Sequence, residues 1–183
     1  MKRPIERVAP GLAALGLLVP DPAAAQAKPH AHHPPAIEIP QSMQVEHREI
    51  HEALERATRE PGAVGAAARE LAAVLHPHFQ REEEIALPPL GLLAPLARGE
   101  FGPEMMAVVP MADSLRAELP RMLEEHKAIR AATIRMGEVA RSAGNTAVAE
   151  LADALALHAQ GEEEMFYPAA ILVGEIVQAR ARR

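Results

Sequence analysis

The sequence predicts an all-α protein, a four-helix bundle built from a pseudo-twofold internal repeat. Three observations predict it. Hydrophobic residues make up 49% of the 183-residue chain and aromatics only 2%. Alanine and leucine supply most of that apolar content, which favours helix over strand. From Ser42 onward the apolar residues recur with a helical period. One motif, H-x-x-x-E-E-E-x-x-x-P, occurs twice in the same register, at His78–Pro88 and again at His158–Pro168.

The chain opens differently. MKRPIER is basic, VAPGLAALGLLV is a short apolar run, and AAAQA places small residues before a cut after Ala27. That is the layout of a secretory signal peptide over residues 1–27. It implies a periplasmic or secreted mature protein. The apolar run is too short for a transmembrane span, and none is expected in the mature chain. Residues 28–41 form a linker rich in Pro and His, since eight of the 17 prolines precede residue 41. His30, His32 and His33 lie in it and are read as polar residues of an extended segment, without preorganised metal geometry.

The bundle is expected over residues 42–183. Its first segment is SMQVEHREIHEALERATRE, with Ser42 as a candidate N-cap, ended by Pro61-Gly62. The second, AVGAAARELAAVLHPHFQREEEIAL, runs to Pro88-Pro89, and a loop rich in Gly and Pro follows. The third covers roughly residues 104–142, with Pro110 and Pro120 as boundaries or kinks. Ala143-Gly144-Asn145 is a turn. The fourth segment starts near Thr146, with Pro168 as a kink. The halves match: EHREI around His47 resembles EHKAI around His126, and the long motif follows each at nearly the same distance. A repeated helix pair is a natural way to build a pseudo-symmetric bundle.

The repeat carries chemistry. Residues four apart on a helix share a face, so His78 pairs with Glu82 and His158 with Glu162. Leu71, Val74 and Leu75 precede His78, and Leu151, Ala154 and Leu155 precede His158, which puts both pairs on the buried stripe. Burying an uncompensated carboxylate costs several kcal/mol. Two of them beside imidazoles make sense around a cation. His47, His78, Glu82, His126, His158 and Glu162 then form an inward ring of six ligands suited to iron, manganese or zinc. That is more than one tetrahedral ion needs, and it suits two ions bridged by the carboxylates. Taken singly, such a His–Glu pair is an ordinary surface contact; the repeat and the stripe argue otherwise. Glu83, Glu84, Glu163 and Glu164 are expected in solvent or hydrogen-bonded behind the ligands. His51, one turn after His47, is an optional extra ligand, but Arg130 holds the matching place in the repeat. His76 precedes Pro77 and is expected to face elsewhere, while Pro77 could help to aim His78. Tyr167, the one tyrosine, is expected to pack near the bundle end, with a hydrogen bond to the site as the other option. The eight methionines are read as core filler.

Composition narrows the function. There is no cysteine, which excludes thiolate metal sites and cysteine nucleophiles. A net charge of −6 without a basic stripe argues against a nucleic-acid partner; the terminal Arg180, Arg182 and Arg183 complement a helix end.

EHREI, HFQREE, EHKAI and HAQGEEEMFYP together resemble a haemerythrin-like domain of the HHE cation-binding type, over roughly Gln44 to Ile176. The resemblance implies an up-down bundle in which the same six residues hold a non-haem di-iron centre. Two departures stand out. Oxygen-carrying haemerythrins have two histidines a turn apart on the third helix, where this chain has His126 and Arg130. Their last motif has an Asp five residues after the His; Glu163 is at that position here, and Glu162 fits the one-turn geometry better. A carboxylate-rich site favours oxidised iron over a stable oxygen adduct. The leading expectation is a di-iron protein that binds or senses oxygen or a related diatomic or peroxide, or handles iron. The alternatives are a di-iron oxidase or a peroxide- or nitric-oxide-consuming enzyme, and a metal-free helical interaction module.

Overall fold

A computed structural model of the protein describes residues 37–183. The signal peptide expected over residues 1–27, and His30, His32 and His33, lie outside them. Six α-helices follow in order: α1 (Gln41–Thr58), α2 (Gly62–Ile85), α3 (Leu93–Ala97), α4 (Val109–Ser142), α5 (Thr146–Gly161) and α6 (Tyr167–Ala181). Tighter 3₁₀ turns span Pro88–Leu92 and Pro103–Val108, and a wider π turn, Glu162–Phe166, joins α5 to α6. No strand occurs among the described residues. α1, α2, α4 and the α5–α6 rod are the four long elements. Neighbours pack α1 on α2, α2 on α4, α4 on α5, and α5 back on α1. Successive rods run in opposite senses between the same two apolar clusters, so the bundle is up-down as the resemblance implied.

The helices face inward for a readable reason. Buried positions on α4 include Leu115, Met122, His126, Ile129, Thr133, Met136 and Ala140, and on α1 Met43, His47, Ile50, Leu54 and Ala57. Along α1, and from Met122 onward on α4, they alternate three and four residues apart, the seam of helices packing at a shallow angle. On α2 the seam is Leu71, Leu75, His78, Glu82 and Ile85. Val74 therefore falls beside the seam and is 38% exposed, against the sequence expectation. Ala154 is exposed on α5 for the same reason.

Boundaries follow local chemistry. α1 starts directly after Pro40 without a side-chain cap, so Ser42 is an exposed first-turn residue and not the N-cap. α4 ends in a Schellman turn: the amides of Gly144 and Asn145 reach the carbonyls of Arg141 and Ala140. Gly144 takes φ +70°, open to glycine at no steric cost. Asn145 then caps α5 by accepting from the Val148 amide. Pro110 sits in the first turn of α4, where no N–H is missed, and Pro120 lies inside an unbroken helix. Pro77 likewise lies within α2. At Pro168 the irregularity comes just before the proline, as the π turn, because proline crowds the carbonyl four residues back. The expected loop after α2 is largely helical. Its Leu92 and Leu96, with Met105 and Val108 from the start of the expected third segment, pack on Val173 and Val177 of α6.

Candidate metal centre

Each long rod interrupts its apolar seam at one level. His47 lies between Met43 and Ile50, His78 and Glu82 between Leu75 and Ile85, and His126 between Met122 and Ile129. His158 and Glu162 lie between Leu155 and Tyr167. One apolar cluster closes this level below and another above. The six polar residues are only 0 to 5% exposed, too deep for water to compensate their charge.

Their inner atoms converge. His78, Glu82, His126 and Glu162 form one group whose donor atoms all lie within 4.8 Å of one another, and His47, His158 and Glu162 form a second. Glu162 belongs to both. Its Oε1 is 2.9 Å from His158 Nε2 and 3.7 Å from His47 Nε2, while its Oε2 is 3.5 Å from His126 Nε2. Glu82 is placed similarly, with Oε1 3.1 Å from His78 Nε2 and Oε2 3.9 Å from His47 Nε2.

The outer ring nitrogens explain the glutamate triplets. His47 Nδ1 lies 3.4 Å from Glu83, and His126 Nδ1 2.9 Å from Glu163. His78 Nδ1 lies 2.9 Å from Glu125, and His158 Nδ1 3.1 Å from Glu46, the last outside hydrogen-bond geometry. In each triplet the first Glu points inward, the second supports the histidine of the neighbouring helix, and the third stays on the surface. Glu84 pairs with Arg81, and Glu164 accepts from Gln160. The Glu of each E-H pair supports the histidine across the other interface. Arg130 also donates to Glu163, at 2.9 Å, so it backs His126 from outside.

This outer set makes a cation fit. A carboxylate on Nδ1 holds the proton there and leaves the Nε2 lone pair facing inward. His78 Nε2 and His126 Nε2 are 2.8 Å apart, a repulsive contact of lone pairs unless a proton or an ion is shared. His47 Nε2, Glu82 Oε2, His158 Nε2 and Glu162 Oε1 have no hydrogen-bond partner among the described residues. Orphaned buried donors and acceptors of this kind are costly, and here all of them point at one another.

Electrostatics agree. Burial opposes charge on His78 and His158, but facing carboxylates outweigh it. Glu82 and Glu125 help to raise His78 to about 8, and Glu162 and Glu46 help to raise His158 to about 9. Burial also works against the Glu82 carboxylate, yet His126, His78 and Tyr167 hold its pKa below the usual range. Burial and the Glu82 charge keep the Tyr167 phenol protonated.

A match to a family model described as Hemerythrin HHE cation binding domain covers residues 41–170. The chain belongs to the haemerythrin HHE cation-binding family. No curated protein and no solved structure gives a significant match. Within this haemerythrin domain, all six residues singled out from the sequence lie together. His51 is not among them: its ring turns to His76. Glu162, and not Glu163, is the buried carboxylate of the last motif. Sequence reasoning gave no role to Glu46 or Glu125, although both recur in the E-H pairs. Tyr167 is also closer to the site than expected. Its hydroxyl donates to Glu82 Oε1 and lies 3.1 Å from His126 Nε2 and 3.4 Å from His78 Nε2. The π turn accounts for this. Residues five apart on an α-helix diverge by roughly 140°, whereas here the Tyr167 amide bonds to the Glu162 carbonyl, and both side chains face inward.

Proposed function

We propose that this is a non-haem di-iron protein, with His47, His78, Glu82, His126, His158 and Glu162 as its ligands. It binds or senses oxygen or a related diatomic or peroxide, or handles iron. The observation that carries this reading is the sharing of Glu162 between two ligand groups, a natural bridge for two ions. His78 and His126 with Glu82 would hold one ion, and His47 and His158 the other. The same nitrogen and oxygen donors accept manganese or zinc. Iron there would supply reversible redox change and open positions for small ligands. The chain's own residues aim the imidazoles, exclude water through the flanking apolar clusters, and hold a proton on the Tyr167 oxygen. The basic, apolar and small-residue layout of the sequence up to Ala27 supports export to the periplasm or beyond. No helix among the described residues is long and apolar enough to cross a membrane.

A second reading, a peroxide- or nitric-oxide-consuming centre, is favoured by one observation. A cavity of about 640 Å³ is lined by His47 and Glu83, so a small molecule has space beside the second ligand group.

Metal analysis with an absorption spectrum tests the first reading. Two irons per chain and a charge-transfer band in the oxidised form are expected, with His78→Ala and Glu162→Ala lowering metal content. Unchanged metal content in those variants overturns the ligand set. Absence of metal from every preparation supports a metal-free helical module. Turnover of peroxide or nitric oxide that His126→Ala abolishes favours the enzyme.

A further inference from the structure

The wall of that cavity carries a second pair of imidazoles, unused by the buried centre. His51 on α1 and His76 on α2 face each other with Nδ1 atoms 3.0 Å apart and ring planes within 6°. Among the described residues each is the other's one side-chain hydrogen-bond partner. Phe79 packs nearly perpendicular to the His51 ring, with ring centroids 5.1 Å apart. Burial and the neighbouring His76 lower the His51 pKa, which favours the neutral ring a metal requires. Glu55 lines the same cavity, one turn beyond His51. HEALE thus repeats, on the solvent side, the H-x-x-x-E spacing of the buried motifs.

We propose that His51 and His76 form a separate, solvent-facing two-nitrogen site for one imidazole-preferring transition-metal cation, such as copper or zinc, with the Glu55 carboxylate turning in from Arg59 as a third ligand. Two nitrogens at about 2.0 Å lie roughly 3.3 Å apart on a tetrahedral zinc and about 2.8 Å apart at adjacent corners of a square-planar copper, so either ion needs only a shift of a few tenths of an ångström. Part-exposed side chains on two packed helices allow that. Glu55 is held by Arg59, an exposed pair that costs little to release. His76 and His51 come from different helices, which makes the site a property of the fold and not of a local sequence.

The test is a Cu²⁺ titration of the full chain as purified, with the metal content of the buried centre measured beforehand. Electron paramagnetic resonance should show one added copper per chain with splitting from two ring nitrogens. His76→Ala should remove one nitrogen and weaken binding by about tenfold or more. Glu55→Gln should weaken it while keeping both nitrogens. His51→Ala/His76→Ala should abolish the signal and leave the metal of the buried centre in place, which also shows that the variant folds. A His30→Ala/His32→Ala/His33→Ala chain should keep the signal. Copper retained unchanged by the His51→Ala/His76→Ala variant, or lost with His30, His32 and His33, overturns the proposal.

Discussion

The Tyr167 hydroxyl donates to Glu82 Oε1 inside the bundle, 85 residues away in sequence, and leaves Glu82 Oε2 without a partner. The same Oε1 lies 3.1 Å from His78 Nε2 while Oε2 faces His47 Nε2, so the hydroxyl backs a carboxylate both of whose oxygens reach the centre. Tyr167→Phe should destabilise the metal-free protein by about 1–3 kcal/mol, the cost of leaving a buried acceptor unmade. The loss should shrink in metal-loaded protein, where an ion takes up the freed oxygen. Denaturant unfolding of both forms checks this; an equal loss in both would sink the role given to the hydroxyl.

The second glutamate of the last triplet should matter more than its neighbour. Glu163→Gln removes the charged acceptor of His126 Nδ1 and should weaken metal binding about 10–100-fold. Glu164→Gln, on the surface beside Gln160, should leave affinity unchanged. Equal effects in the two variants would contradict the division of labour within the triplet.

Stability and metal affinity should move oppositely with pH. His78 and His158 titrate near 8 and 9 in the fold, above the ordinary 6.5. Their contribution to the metal-free protein is full below 6.5 and is lost as pH rises through 8 and 9. Glu82 acts in the other direction: its contribution is present above the ordinary 4.5 and is lost as pH falls through its lowered folded pKa. The melting temperature of metal-free protein should therefore decline between pH 6.5 and 9. An incoming cation displaces those imidazole protons, so its affinity should rise over the same interval. Calorimetry across the range measures both, and a flat profile in either would count against the assignment.

Away from the centre, Gly174 marks a close approach of α6 to α4. A Cβ added there would lie 2.3 Å from Ala112 Cβ. Gly174→Ala gains about 1 kcal/mol of helix propensity, but overpacking costs typically about 1–3 kcal/mol. Net destabilisation is expected, read as a lower denaturation midpoint. A more stable variant would show that the two helices separate freely.

Much of the site was legible because its signals are local and periodic. The seam that buries Leu71 and Leu75 continues through His78 and Glu82, so burial of the pair can be read from helical spacing. The repeat of E-H and H-x-x-x-E supplied the second half. Spacing is silent on partners across helices. Nothing in periodicity says that Glu46 approaches His158, or that Arg130 reaches Glu163 in place of a second histidine. The π turn was illegible too, because its extra residue shifts the register only after Glu162. The sequence therefore placed a kink at Pro168 and left Tyr167 between packing and a hydrogen bond.

The carboxylates behind the four histidines link α1 to α2, α2 to α4, α4 to the π turn after α5, and α5 to α1. These glutamates are 29 to 49% exposed, so each imidazole is one contact from solvent. A change of charge at the heart of the bundle thus has four short electrical leads to its outer skin, one at each interface between neighbouring rods, without the helices having to part.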